Sequence, residues 1–232
     1  MDPRLRPPFW ENRVLAGDAR RLLPKLPGRT FDLVLTSPPY WPSGEAERRG
    51  EVGTESDPGR YLRALRAVGA DARRLLKPGG WFVVVLGDPE GIRMPWRVGA
   101  ALQRAGFVPG LPALWLAPNA PASMLETVLF FSRGRAECRK GCEVPHGGLW
   151  PLPRPPPQEN YDLLPEEMVV TVIEGHCPAG GSVLDPFLGH GTVAEAAQKQ
   201  GRRWCGIELD PGVAHRTQRR LERIQQPFRH LA

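Results

Sequence analysis

Cysteine is scarce in this 232-residue chain, with only Cys138, Cys142, Cys177 and Cys205 present. Four are too few for a disulfide-stapled scaffold and point to a reducing compartment. No run of about 18 apolar residues occurs, so no bilayer-spanning helix is expected. Met1 to Pro8 is rich in arginine and proline and lacks an apolar stretch, so no secretory leader is read there and a cytoplasmic protein is expected. A full Gly-x-Gly-x-x-Gly turn is also missing, which disfavours a dinucleotide ligand. No internal repeat is visible. Lysine is nearly missing: all but four of the 31 basic residues are arginine.

What remains is an arginine-weighted chain with a formal charge of +6 and a pI near 9.5. A basic excess suits a polyanionic partner, and the guanidinium fork reads phosphate and guanine better than an ammonium does. The arginine bias and the 27 prolines fit a GC-rich genome equally well, so charge is weak support. At this length the chain fits one domain, residues 1–232, with a sizeable core.

The pattern alternates strands and helices. Strands are expected at Arg13 to Ala16, Phe31 to Thr36, Trp81 to Leu86, Leu111 to Leu116 and Val128 to Ser132, the last two as an antiparallel pair. Helices are expected around Arg20 to Leu26, over Arg60 to Leu76 and over Trp96 to Ala105. The second carries Leu62, Leu65, Val68 and Ala72 at helical spacing and stops at Lys77-Pro78-Gly79-Gly80. A last helix, Pro211 to Gln226, turns Val213, Leu221 and Ile224 inward and several arginines outward. Such alternation implies an α/β fold: a parallel-rich sheet with helices on both faces and ligands at the carboxyl ends of its strands. Gly141 to Asp162 is proline-rich and reads as an extended connector.

Two motifs carry chemistry. The apolar run Asp32 to Thr36 ends abruptly in Ser37-Pro38-Pro39-Tyr40, where two prolines forbid further sheet pairing. A hydroxyl, rigid carbonyls and an aromatic ring at a strand end suit a planar group bearing an NH2: oxygens accept from the amine and the ring stacks on the face. The bland alternative is a Pro-Pro turn before a core tyrosine. The second motif, Ser182 to Thr192, reads strand, Gly-x-Gly turn, then helix, with Asp185 at the strand end. Its glycines let a ligand approach the backbone, and the helix start offers N–H groups to a carboxylate. The next strand, Arg203 to Glu208, ends in an acid 23 positions after Asp185, where nucleotide-binding folds hold ribose hydroxyls. The alternative there is a surface acid.

Thr36-Ser37-Pro38-Pro39-Tyr40 followed by Asp185-Pro186-Phe187-Leu188-Gly189-His190-Gly191-Thr192 resembles the amino-methyltransferases of DNA, in the permuted order with the catalytic motif first. Gly17-Asp18-Ala19, Leu75 to Gly80 with Trp81 to Asp88, Met94 to Arg97, Trp115 to Asn119 and Pro165-Glu166-Glu167 extend the likeness over most of residues 13–224. The resemblance implies a Rossmann-like seven-stranded sheet, mostly parallel with an antiparallel hairpin. It divides into a catalytic half (13–132), a short target-recognition or connector segment (133–162) and a cofactor half (163–226). The sequence departs from the family at His190, where a small residue is usual and a solvent-directed side chain is expected. It departs again at Ala117, where a lysine is common nearby, and at Leu163-Leu164, where a histidine is usual.

The implied reaction transfers methyl from S-adenosyl-L-methionine to the exocyclic amine of a base flipped from duplex DNA or met in a single strand. The resemblance makes Ser37, Pro38, Pro39 and Tyr40 the catalytic residues, with Ser37 and the Pro38 carbonyl on the amine and Tyr40 on the base face. Asp185, Pro186, Phe187, Gly189, Gly191 and Thr192 would cradle the cofactor, Glu208 its ribose and Asp18 its adenine, with Ala19 and Leu209 also on the cofactor. Thr36 and Pro165 complete that set. Asp18 has a plain alternative as a helix cap, and Trp41 is either core or a stacking platform. Arg48 and Arg49, in the long loop Pro42 to Pro58, are candidate DNA contacts, and that loop is expected to order over DNA. Serine at the motif's first position resembles the N4-cytosine branch. N6-adenine, a non-catalytic subunit, and RNA or protein-amide methylation are the alternatives. No Pro-Cys dipeptide exists, which argues against attack at cytosine C5. No metal is expected, since Cys138, Cys142 and His146 lack an evident fourth ligand. A homodimer and a cognate restriction endonuclease are further partners the family implies.

Overall fold

A computed structural model describes residues 8–42, 51–119, 125–138, 144–145, 147–156 and 163–225. Nine strands form one sheet among them. They are β1 (Arg13–Ala16), β2 (Phe31–Thr36), β3 (Leu76–Leu86), β4 (Val108–Pro109), β5 (Ala113–Leu116), β6 (Glu126–Ser132), β7 (Leu149–Pro151), β8 (Ser182–Asp185) and β9 (Arg203–Glu208). The spatial order is β1-β9-β8-β2-β3-β6-β5-β7, with β4 also on β6. The first five of that order pair in parallel, and β6 runs antiparallel to β3, β4 and β5. The seven strands expected from the sequence are all present. The two extra ones are very short, and each contains a proline, which hides them from any periodicity argument.

Helices α1 (Ala19–Leu22), α2 (Pro58–Leu75) and α3 (Met94–Arg104) pack on one face. The other face takes α4 (Glu166–His176), α5 (Thr192–Lys199) and α6 (Pro211–Gln225). Alternation along β2 serves both layers: Leu33 and Leu35 face α4 and α5, while Val34 faces α2 and α3. All three are essentially fully buried, each contributing about 2 kcal/mol of apolar transfer.

Helix α2 begins at Asp57, whose carboxylate caps the Arg60 N–H, with Pro58 in the first turn. Its buried stripe contains the expected Leu65, Val68 and Ala72, joined by Tyr61 and Leu75. Helix α3 comes close because Gly69 has no side chain; a Cβ there would lie 2.4 Å from Leu102 Cδ2. Lys77-Pro78-Gly79-Gly80 ends α2 as expected but already belongs to β3. Phe31 faces Leu76 and Leu33 faces Trp81, so the intervening residues bulge out of register. Strand β5 starts two residues later than expected, since Pro112 cannot donate to a ladder.

Strand β2 leads through α2 to β3 on one side, and β8 leads through α5 to β9 on the other. The direction of winding therefore reverses between β2 and β8, which pair in parallel as Leu33↔Val183 and Val34↔Leu184. A crevice opens at the carboxyl ends of strands at such a reversal. Among the described residues no helix is long and apolar enough to cross a membrane.

Candidate active site

Four loops meet at this edge, one from each of the neighbouring strands β1, β9, β8 and β2. Adjacent strands lie about 4.8 Å apart, so the motifs form a row on the order of 15 Å long. Ser37 to Tyr40 leaves β2, Asp185 to Gly191 leaves β8, Glu208 ends β9 and Asp18 follows β1.

A hydrogen bond spans the reversal point: the Thr36 hydroxyl donates to Asp185 Oδ1 at 2.6 Å, and the Phe187 N–H donates to the same oxygen at 3.0 Å. Asp185 is 4% exposed. Burial lifts its carboxyl to about 7, against the pull of those two donors and with a push from Glu208. Glu208 is buried rather than a surface acid, and desolvation raises its carboxyl too. Its oxygens accept from the Gly189 N–H and the Asp210 N–H, both at 2.9 Å, which ties the end of β9 to the glycine turn. Two desolvated acids that repel one another at adjacent strand ends favour a cationic or hydroxyl-bearing ligand.

The turn Gly189-His190-Gly191 is held from above by α6. Thr217 donates to the Gly189 carbonyl at 3.0 Å, and Arg220 donates to the His190 carbonyl at 2.6 Å. His190 is consequently half-buried with its ring Nε2 sealed from water, not directed to solvent as expected. Arg220, on a face expected to be solvated, turns inward for this purpose. Gly191 is the N-cap of α5 with φ +83°, a conformation that suits glycine, and Thr192 opens the helix. Pro186 is buried, and Phe187 is half-exposed against the α2–α3 layer, where Thr36, Pro38, Val84 and Phe187 line a narrow apolar cleft.

In the loop after β2, Ser37 is half-buried, Pro38 buried and Pro39 exposed. The turn is pinned from beneath by Tyr61, whose hydroxyl donates to the Pro39 carbonyl at 3.0 Å. Tyr40 packs over Gly87 at the end of β3, where a Cβ would lie 2.8 Å from its Cε2. The Tyr40 hydroxyl donates to Glu126 and accepts from Ser37 at 3.4 Å. Burial, then the Glu126 charge, push its ionisation well above the usual tyrosine range. Glu126 is ion-paired with Arg154, whose guanidinium lies 4.6 Å from the Trp115 ring centre.

Other expected site residues are placed differently. Asp18 caps α1 through the Arg20 N–H at 2.8 Å and is ion-paired with the Arg20 side chain at 2.7 Å. Chiefly through that side-chain bond, Arg20 holds its carboxyl below the ordinary range. Ala19 is buried beside it, and Leu209 is 38% exposed at the end of β9. Pro165 is buried at the N-cap of α4, its carbonyl accepting from Val169. Trp41 packs against the α2–α3 layer and donates its indole N–H to the Glu55 carbonyl at 2.8 Å. Arg48, Arg49, Cys142 and His146 lie outside the described residues. Cys138 is disulfide-bonded, against the free thiols expected for a reducing compartment, whereas Cys177 and Cys205 are free and buried.

A sequence model of a DNA methylase family matches residues 31–219, which spans both loop motifs and everything between them. The chain belongs to the N6/N4 DNA methylase family. Among curated relatives, this methylase is 27% identical to M.SmaI, a type II methyltransferase of Serratia marcescens, over 91% of each chain. It is 26% identical to M.Cfr9I of Citrobacter freundii over 90% of this chain and 87% of that one. A Thermus thermophilus protein assigned as a DNA modification methylase, solved with S-adenosyl-L-methionine, superposes with a TM-score of 0.71 at 26% identity, covering 93% of this chain and 97% of that one. PvuII DNA methyltransferase, cytosine-N4-specific, superposes with a TM-score of 0.72 at 19% identity, over 91% and 90%, and speaks for the fold alone. The fold is thus that of S-adenosylmethionine-dependent methyltransferases, and S-adenosyl-L-methionine is the methylase's cofactor. The buried acids Asp185 and Glu208 beside a glycine turn fit its cationic centres and its ribose.

Four contributors escaped the sequence reading: Glu126, Arg154, Tyr61 and Gly87. An acid heading the apolar run Thr127 to Phe131 was a usable signal for Glu126, since buried carboxylates are rare unless partnered.

Proposed function

We propose that this methylase transfers a methyl group from S-adenosyl-L-methionine to the N4 amine of cytosine in DNA. The observation that carries this is the juxtaposition across β2 and β8: Ser37-Pro38-Pro39-Tyr40 starts one residue beyond Thr36, and Thr36 is hydrogen-bonded to Asp185. Acceptor and donor loops are therefore side by side, which direct displacement requires. Serine at the motif's first position, which resembles the N4-cytosine branch, favours cytosine.

The cofactor supplies a methyl group on a sulfonium, a leaving group that needs no covalent enzyme intermediate. Asp185 and the turn Gly189 to Gly191 bind it, with Glu208 toward the ribose; Asp18 reaches the adenine amine only by giving up part of its pairing with Arg20. Ser37 Oγ and the Pro38 carbonyl accept from the amine hydrogens, which draws its lone pair out of the ring system and toward the incoming carbon. Tyr40 stacks on the base and keeps it in the plane those acceptors define. A base paired in a duplex is first flipped out.

Nucleoside mass spectrometry on mixed-sequence DNA incubated with isotopically labelled cofactor tests the proposal. Labelled N4-methylcytosine is the expected product. Labelled N6-methyladenine would keep the mechanism and change the base, and an unlabelled digest would refute the reaction.

A further inference from the structure

We infer that Glu126 and Arg154 form a positioning couple that fixes the hydrogen-bond polarity of the catalytic motif, so that Ser37 meets the substrate amine as an acceptor. The inference rests on the methyl-transfer reading above and concerns residues with no role in it. A serine hydroxyl facing an amine can donate or accept, and only acceptance helps free the amine lone pair. Something must therefore commit its proton elsewhere.

The structure supplies a directional chain. Glu126, 3% exposed at the head of β6, is paired with the Arg154 guanidinium and so stands as a carboxylate, which can only accept. The Tyr40 hydroxyl must then be the donor between them. With its proton spent on Glu126, the phenolic oxygen is left as an acceptor, and the Ser37 hydroxyl donates to it at 3.4 Å. The lone pairs of Ser37 Oγ remain for the amine. The Ser37–Tyr40 separation is long for a hydroxyl pair, so this is the link that closing over a base would tighten.

Arg154 is itself held in place. Its N–H donates to Asn119 Oδ1 at 2.8 Å, Asn119 Nδ2 returns a bond to the Arg154 carbonyl at 2.9 Å, and its guanidinium stacks on Trp115. Trp115 in turn donates to the Leu152 carbonyl at 2.8 Å. The segment after β7, within the stretch expected to recognise the target, is thereby wired to the catalytic tyrosine.

The test is a double-mutant cycle on the full chain. Glu126→Gln alone leaves a buried guanidinium without its carboxylate and invites misfolding, so the pair Glu126→Gln/Arg154→Met is made as well. Cofactor binding by calorimetry reports whether each variant is folded. Single-turnover methylation is expected to fall at least about tenfold in the charge-free pair, with the cofactor Kd within about twofold of wild type. In a Tyr40→Phe background the same pair of substitutions is expected to change the rate by less than about twofold, because the hydroxyl it acts through is gone. A full, additive loss in that background, or a wild-type rate in the charge-free pair, would overturn the inference while leaving the methyl-transfer reading intact. Wild-type protein that methylates no DNA base would remove both.

Discussion

Replacing Asp185 with asparagine should make the ligand-free protein more stable and useless at once. The side chain is 4% exposed and carries a carboxyl lifted from 3.8 to about 7, chiefly by desolvation. Between those values the unfolded chain has released its proton and the folded chain has not, so stability falls as pH rises through that window. Above it, the folded state bears the whole cost, about 3 pH units or roughly 4 kcal/mol as an upper figure. Asparagine has the same shape, still accepts from Thr36 and Phe187, and does not titrate. The two proteins should be nearly equally stable at pH 4 and diverge up to about pH 8. At about 2–4 °C per kcal/mol for a chain of this size, even half the cost moves Tm by roughly 4–8 °C. Differential scanning calorimetry from pH 4 to 8 measures this. Wild type should also gain stability on adding S-adenosyl-L-methionine, and Asp185→Asn should not. Parallel pH–stability curves, or a variant less stable at pH 8, would show that the carboxylate is not the strained group argued for.

Ser37→Ala should lower single-turnover methylation by about 100-fold, the scale of losing one oriented polar contact to the reacting group, while calorimetry shows cofactor affinity unchanged. Gly87→Ala places a Cβ 2.8 Å from Tyr40 Cε2, so the ring must move. A kcat loss of about tenfold to 100-fold with little change in Tm is expected, measured by steady-state assay and thermal melt. Gly191→Ala combines φ +83° with a Cβ 2.8 Å from Thr217 Cγ2. It should cost about 2–3 kcal/mol in urea unfolding and weaken cofactor binding in the same protein.

Much of this arrangement was legible in the sequence, for reasons that differ by element. Leu33, Val34 and Leu35 form an apolar run too short for a helix, and the prolines after Ser37 mark where it stops, so β2 and its loop were readable together. The strand–turn–helix around Asp185 announces itself through Gly189 and Gly191. Side-chain partners were not readable. Asp18 is occupied by Arg20, two residues on, a contact that no periodicity encodes. Arg154 reaches Glu126 from inside a proline-rich stretch that looked like a passive connector. His190 looked solvent-directed because its neighbour Arg220 is 30 residues away and belongs to a helix whose arginines all looked alike.

The place of β1 has a consequence for how the protein is made. Although it comes first in the chain, it sits outside β9, with Val14 N–H bonded to Gln218 and Asn12 bonded to Trp204. Strands β8 and β9 therefore occupy a slot between β1 and β2, both of which leave the ribosome long before them. Until β9 has emerged β1 has no sheet partner, and until β8 has emerged one edge of β2 is open. Nascent chains must wait with that gap unfilled, and any product truncated before Arg203 has an unpaired first strand. The pair β8 and β9 is a keystone, set late between two strands that are already made.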